Sequence, residues 1–377
     1  MGTPLQFVRN NWPSLGVELE LQLVDAESMA LRSAIDQILA DLPENLHERV
    51  KPEIMQSYLE INTGVCRSVP DVRRDLTEKI QIVDAIAEKH GLRLFWAATH
   101  PFSLWRDQQV TPKERYLGLV ELLQDTARRL VTFGLHVHVG VDSGDKAIMI
   151  CDRIMRHLPT LLALSVNSPF WDARNTGLQS QRIKVMEGLP TAGVPPFMRN
   201  WSEYVWLLNH MIQTGFIKSL REVWWDVRPH HNFGTVEVRI CDMPPDLPTV
   251  LSITALIQCL VHALSEEIEG GTYQHDCHPM MVRQNKWRAC RYGLEAQLVD
   301  TYSFEVLPAR QMVRSLVRRL GDVADELGCR AELDFVLELA DRPTGAQRQI
   351  ALYEQTGDLV EVVRRMVDPG ALCESAS

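Results

Sequence analysis

The sequence predicts an α+β fold with an antiparallel sheet at its centre, on three observations. First, in the stretch 15–25 Val17, Leu19, Leu21 and Leu23 alternate with Glu18, Glu20 and Gln22 at the period of two that a strand imposes. Second, three more stretches repeat this layout, an aliphatic face opposite a polar one. They pair Leu59 and Ile61 with Glu60 and Asn62, Val137 with His136 and His138, and Val236, Val238 and Ile240 with Glu237 and Arg239. Third, the segments between and after these strands carry the 3.6-residue apolar period of helices.

In chain order, the strand at 15–25 leads to a short helix at 33–42 stopped by Pro43, and 46–63 holds strand-like runs. A long helix opens at Pro70, with Val72, Leu76, Ile80, Val83 and Ala87 on one stripe and Gly91 as its stop. The apolar run 92–98 reads as a buried strand. Thr111-Pro-Lys-Glu114 has the form of a capping box with proline at the first helical position, opening a helix to about residue 130. After the strand at 133–140, residues 146–166 read as helix interrupted at Pro159. Residues 167–196 are rich in Gly, Pro, Ser and Gln with little periodicity, the mark of a functional or mobile segment. A helix is expected at 201–216, strands at 224–228 and 235–241 on either side of His230-His231-Asn232, and a helix at 244–269 closed by Gly270-Gly271. From 281 onward the chain reads as amphipathic helices broken at Pro308, Gly328, Pro343 and Pro369. With no repeat and no long linker, the expectation is a single catalytic domain over 1–377. Its sheet-and-helix core occupies 12–293, and 305–377 form a C-terminal helical part of the same domain.

A net charge of -10 argues against non-specific nucleic-acid binding. The eight cysteines are scattered without a Cys-x-x-Cys pair, which fits reduced, buried thiols of a cytoplasmic protein. His275-Asp-Cys277-His278 matches no zinc spacing and reads as a loop. No basic-then-apolar run marks a signal peptide. The apolar stretch 251–264 is broken by Gln258 and His262 and is too short to span a bilayer. A cytoplasmic protein with no membrane or nucleic-acid partner is therefore expected.

The polar faces carry the chemistry. A solvated sheet face is common, but it mixes Thr, Lys, Ser and Arg. Here the faces gather Glu18, Glu20, Glu60, Glu237, His136 and His138 with the single base Arg239, and Glu53 lies seven residues before Glu60. Carboxylates brought to about 5 Å repel by about 3 kcal/mol at an effective dielectric near 20. Hard divalent cations relieve this, and Mg²⁺ or Mn²⁺ suits the oxygen-rich set better than Zn²⁺. No P-loop, dinucleotide fingerprint, Gly-x-Ser-x-Gly or His-Glu-x-x-His is present. Cations on a sheet beside Arg239 and Arg228 suit phosphoryl transfer from a nucleotide.

Taken together, Gly-Val-Glu-Leu-Glu at 16–20, Glu53 with Glu60, Gly-Leu-His-Val-His-Val-Gly at 134–140 and Thr-Val-Glu-Val-Arg at 235–239 resemble the YbdK-like carboxylate-amine ligases, the second type of glutamate–cysteine ligase. Asn-Ser-Pro-Phe-Trp at 167–171, Ser-Gln-Arg at 180–182 and Asn-Lys-Trp-Arg-Ala-Cys-Arg-Tyr-Gly at 285–293 match the same family, and the resemblance runs from about 12 to 293. It implies a glutamine-synthetase-like fold, a curved antiparallel sheet with ATP and divalent metal on the concave face and helices on the convex one. It also implies activation of a carboxylate, typically the γ-carboxyl of glutamate, as an acyl phosphate that an amine, typically that of cysteine, attacks.

By that resemblance Glu20, Glu53 and Glu60 hold one metal, and Glu18, His136 and Glu237 hold the metals bridging the ATP phosphates. His138 and Arg239 contact the transferred phosphoryl group, with Arg228 a further phosphate or substrate contact. Arg182, beside Ser180, is the expected clamp on a substrate carboxylate, since a guanidinium matches it in bidentate fashion. Small-molecule substrates and a homodimer are implied as partners. Two other readings of the residues stay open: a guanidino-type phosphotransferase, and a metal- or nucleotide-binding protein without turnover.

Overall fold

The computed structural model describes residues 5–272 and 278–367, so the motif beginning at His275 falls mostly outside the described residues. The chain runs through β1 (Leu15–Asp25), α1 (Ile35–Asp41), β2 (Val50–Pro52), β3 (Tyr58–Asn62), α2 (Val69–Lys89) and β4 (Leu92–Phe95). It continues with α3 (Glu114–Leu123), α4 (Asp125–Arg128), β5 (Leu135–Gly140), α5 (Gly144–Ile154), α6 (Leu158–Ser165), β6 (Phe170–Trp171), β7 (Arg174–Asn175), α7 (Gln181–Met186), β8 (Ala192–Gly193) and α8 (Trp201–Gln213). Then come β9 (Trp224–Trp225), β10 (Val227–His230), β11 (Thr235–Val238), α9 (Leu247–Glu269), α10 (Pro279–Tyr292), β12 (Gln297–Val299) and β13 (Val306–Pro308). The last elements are α11 (Ala309–Arg319), α12 (Gly321–Leu327), α13 (Arg330–Leu339), α14 (Gly345–Thr356) and α15 (Leu359–Val367).

The fold is α+β. Its main sheet runs β10-β11-β5-β1-β3-β2, with β4 on the far half of β1, and every pairing is antiparallel. Strand β1 is long enough to serve two neighbours on one edge: β5 along 15–19 and β4 along 22–25. The aliphatic face is dry, with Val17, Leu19, Leu21, Ile61, Val137 and Val236 all at most 1% exposed. Helices α2, α5 and α9 pack behind it. Ser68 caps α2 by accepting the Asp71 amide hydrogen bond, Pro70 sits in its first turn, and Gly91 past its end adopts φ +66°. One hydrophobic core runs continuously from Leu15 to Ala346, and α15 closes a smaller cluster on Val24 and Phe95.

Several expectations are corrected. Thr111 caps no helix: its hydroxyl donates to the Glu53 carbonyl (2.6 Å), and α3 starts at Glu114 without a side-chain cap. That helix stops at Leu123 because Gln124 takes φ +50°, a turn no glycine announces. Helix α9 starts at Leu247, where Asp246 accepts from the Thr249 amide, three residues later than expected. At 23 residues it is long and apolar enough to cross a membrane, yet most of it is buried in the core. The irregular stretch 167–196 contains α7, and the β12–β13 hairpin appears where only helices were expected.

Candidate active site

Pairing across the sheet puts the polar residues in three rows. Arg228 stands opposite Glu237, Glu237 opposite His138, and His138 opposite Gly16. His136 stands opposite Glu18, and Glu18 opposite Asn62. Glu20 stands opposite Glu60, and Glu60 opposite Lys51. These rows floor a cavity of about 510 Å³. It is no solvent-washed face: Glu237 is 1%, His136 2% and His138 4% exposed.

The two ends of this floor differ in charge balance. At one end, carboxylates are matched by cations. Burial pushes Glu237 up, but Arg228 and Arg239 outweigh it and hold the carboxyl well below its usual range. Arg228 donates to Glu237 through Nε (2.7 Å) and Arg239 donates to the other carboxylate oxygen. Glu18 is likewise held low against burial by His136 and His138. Nδ1 of His136 lies 3.1 Å from Glu18, and Nε2 of His138 lies 3.4 Å from Glu18 and 3.8 Å from Glu237. The other ring nitrogen of His138 bonds the Thr235 hydroxyl (3.0 Å), which aims Nε2 at both acids. Burial lowers His136, with Arg239 adding to it, whereas in His138 the two carboxylates overcome burial and raise it.

At the other end the acids outnumber their partners. Burial and the negative charge of Glu20 push Glu53 to about 7. Burial, with Glu18 and Glu53 nearby, lifts Glu60 well above its ordinary value, although Asn62 donates to it (2.6 Å). Glu20 accepts the Gly134 amide. Arg115 is the cation whose charge opposes the rise of Glu53, but it is exposed and lies over the Tyr116 ring. A site that keeps half-buried acids facing one another, with only the exposed Lys51 and Arg115 beside them, is built to receive positive charge.

The residues fit divalent cations. Ligand atoms of Glu18, His138 and Glu237 all lie within 4.8 Å of one another, and the buried Nε2 atoms of His136 and His138 have no hydrogen-bond partner among the described residues. The grouping differs from expectation in one respect: His138, expected at the phosphoryl group, joins Glu18 and Glu237, while His136 turns Nδ1 to Glu18 alone. Carboxylate oxygens with one imidazole are the donor set of a hard cation.

Three other candidates are tied to neighbouring groups of the fold. Ser180 is fully buried outside the cavity lining and donates to Asp242 (2.8 Å). Arg182 reaches the cavity wall, but its guanidinium donates to the carbonyls of Ile240 and Arg239 (both 3.2 Å). Gly134 leaves room for it, because a Cβ there would push the guanidinium aside. Arg228 gives both Nη1 hydrogens to the Leu220 and Val223 carbonyls (3.1 and 2.6 Å) and Nη2 to Glu237 (3.4 Å). Buried Asp242 explains the stretches around 167 and 180: it accepts from the Asn167 amide and from the Ser168 and Ser180 hydroxyls, anchoring the chain just past Arg239.

The cavity also recruits residues the sequence reading passed over, among them Tyr58, Arg115, Tyr116, His230 and Phe233. Tyr58 shares the parity of Glu60 and Asn62, so alternation could have found it; Phe233 sits in a turn, where periodicity is silent.

A family model described as glutamate–cysteine ligase family 2 matches residues 14–367. A relative from Gloeobacter violaceus, provisionally named glutamate–cysteine ligase 2, is 42% identical over 95% of this chain and 97% of its own. One from Thermobifida fusca with the same provisional name is 40% identical over 96% and 92%. Among solved structures, the glutamate–cysteine ligase of Francisella tularensis in complex with AMP aligns with a TM-score of 0.70 at 12% identity, covering 98% of this chain and 92% of that one. A bifunctional glutathione synthetase from Pasteurella multocida aligns at 0.69 and 16% identity, over 97% of this chain and 52% of its own length. At such identities the likeness to both structures is one of fold.

Proposed function

The chain belongs to glutamate–cysteine ligase family 2, and from that premise we propose that its cleft binds Mg·ATP or Mn·ATP and couples the γ-carboxyl of glutamate to the amine of cysteine. Membership makes the protein an ATP-dependent ligase that joins a carboxylate to an amine, which leaves the phosphotransferase and non-catalytic readings without support. The observation that carries the proposal is the uncompensated acid end, Glu20, Glu53 and Glu60, beside the Glu18, His138 and Glu237 group on one floor.

Glu20, Glu53 and Glu60 would hold one divalent cation, and Glu18, His138 and Glu237 a second, with His136 orienting Glu18. Such cations neutralise the phosphates and make the γ-phosphorus susceptible to attack. Arg239 lines the cavity with one nitrogen on Glu237, and its remaining guanidinium donors would meet the charge that develops on the transferred group. Arg228 positions Glu237, and Arg182 positions the backbone of Arg239 and Ile240. In the reaction a carboxylate oxygen bonds to the γ-phosphorus and ADP leaves. The amine, having lost its ammonium proton, then bonds through nitrogen to the acyl carbon, and phosphate departs as the nitrogen gives up a second proton. A single catalytic domain is supported by the continuous core. A homodimer and a cytoplasmic location complete the proposal.

The test is phosphate release from ATP with Mg²⁺, L-glutamate and a panel of amines that includes cysteine. Release that requires both glutamate and cysteine supports the proposal. Release that requires a different acid or amine replaces its substrates, and nucleotide binding without release under any pairing overturns it.

A further inference from the structure

The turn that joins β10 to β11 carries an aromatic surface that the ligase chemistry does not use. Phe233 is 56% exposed, yet it stacks on His230 with ring centroids 4.1 Å apart and planes 13° from parallel. Nδ1 of His230 accepts the Phe233 amide (3.3 Å), which locks the two rings together. Both face the cavity, and both stand edge-on to His138, at 5.5 and 5.6 Å between centroids. The pair therefore walls the same end of the floor as Glu18, His138 and Glu237, away from the surplus acids.

This surface is held in place from outside. The Val8 amide donates to His231, and the Asn10 side chain donates to the carbonyls of Phe233 and Gly234 (2.7 and 2.9 Å). Gly234 takes φ +63°, and a Cβ on it would strike the Val8 carbonyl, so only glycine lets the N-terminal segment lie this close. An exposed phenylalanine in a mobile turn would need no explanation; one stacked, oriented and pinned from behind presents a fixed apolar plane to the cavity. Flat, rigid aromatic planes bind flat heterocycles, because every nucleobase offers a π-face.

We infer that the Phe233–His230 pair is the stacking surface for the base of the nucleotide whose phosphate-bound cation the neighbouring Glu18, His138 and Glu237 group would hold. The inference rests on the proposed nucleotide cleft and adds to it the residues that recognise the base. It makes Phe233 a binding residue whose contribution belongs to the base alone and not to the phosphates.

Calorimetric titration of the full chain in Mg²⁺ separates the two, with a non-hydrolysable ATP analogue and inorganic tripolyphosphate as ligands. Phe233→Ala should weaken analogue binding about tenfold, the scale of one base–aromatic stack. Phe233→Trp should stay within about threefold of the parent, and tripolyphosphate should bind all three proteins alike. Undiminished analogue binding by Phe233→Ala overturns the inference. So does a parallel loss for both ligands, which would make Phe233 a support of the fold. A parent protein that binds tripolyphosphate as tightly as the analogue has no base surface, which also overturns it. A parent that binds neither ligand overturns the nucleotide cleft itself.

Discussion

Replacing Glu53 by Gln should stabilise the metal-free protein while destroying its response to metal. Glu53 rises from about 4.5 unfolded to about 7 folded, through burial and the charge of Glu20. A group raised in this way favours the fold below its unfolded value, and that advantage disappears as pH climbs through the folded one. Each pH unit of mismatch is worth about 1.4 kcal/mol, so the ionised carboxylate costs roughly 3 kcal/mol at pH 8, falling under about 1 kcal/mol at pH 5. With an unfolding entropy of about 2.1 cal/mol/K per residue over 377 residues, that corresponds to about 4 °C in Tm.

The assay is thermal unfolding in chelator at pH 8 and pH 5, then at pH 8 with millimolar Mg²⁺. Glu53→Gln should melt about 4 °C above the parent at pH 8 in chelator and close to it at pH 5. Added Mg²⁺ should reverse the order, because binding to the native state alone lifts the parent in proportion to the logarithm of occupancy. A variant that melts at or below the parent in chelator at pH 8 would refute the charge surplus. An equal lift by Mg²⁺ in both proteins would remove Glu53 from the cation site.

Arg228→Met should cost about 3 kcal/mol in urea unfolding, since it strips one partner from an almost fully buried carboxylate, and should cut ligase turnover at least tenfold; an unchanged midpoint would mean that Arg239 alone satisfies Glu237. Ser180→Ala should lose about 1 kcal/mol of stability through the Asp242 hydrogen bond and leave every KM unaltered, whereas a raised KM for the carboxylate substrate would return Ser180 to the site. Burial holds His100 neutral, down to about 3, with its ring bonded to the Met29 carbonyl and the Ser103 amide. Its contribution is present above about pH 6.5 and is lost as pH falls towards 3, so the parent should lose roughly 2 kcal/mol between pH 7 and pH 5 that His100→Gln does not lose; identical acid profiles would count against this.

Alternation along 15–25, 57–63, 133–140 and 235–241 was enough to foresee the strands, their dry face and the gathering of acids opposite, because side-chain parity is a local property of an extended backbone. What parity cannot carry is who else reaches the same place. Gln22 shares the parity of Glu18 and Glu20, but it is fully buried and donates to the Ala97 carbonyl (2.7 Å), because β4 has replaced β5 as the neighbour of β1 there. Thr111 obeyed the local grammar of a helix start and was drawn instead to the carbonyl of Glu53, just past β2 and 58 residues earlier in the chain.

The arginines show where residue type stops being informative. Arg182 looked like a substrate clamp because a guanidinium fits a carboxylate, but the same fork fits two backbone carbonyls, and the chain past β11 offers them. A free clamp and one tied to backbone carbonyls are identical in sequence; they differ only in how many acceptors the fold has left within reach. Arg239, with one nitrogen on Glu237, is by that count the guanidinium of the floor with most donors still to give. The carboxylates follow the same rule with the sign reversed. Glu237 is held ionised by two arginines and so offers a fixed carboxylate beside Glu18 and His138, whereas Glu53 and Glu60 face each other with too few donors and keep an unmet demand for charge. Function at this floor concentrates in the groups whose partners the fold withholds, and that deficit becomes visible only once every neighbouring donor and acceptor has been counted.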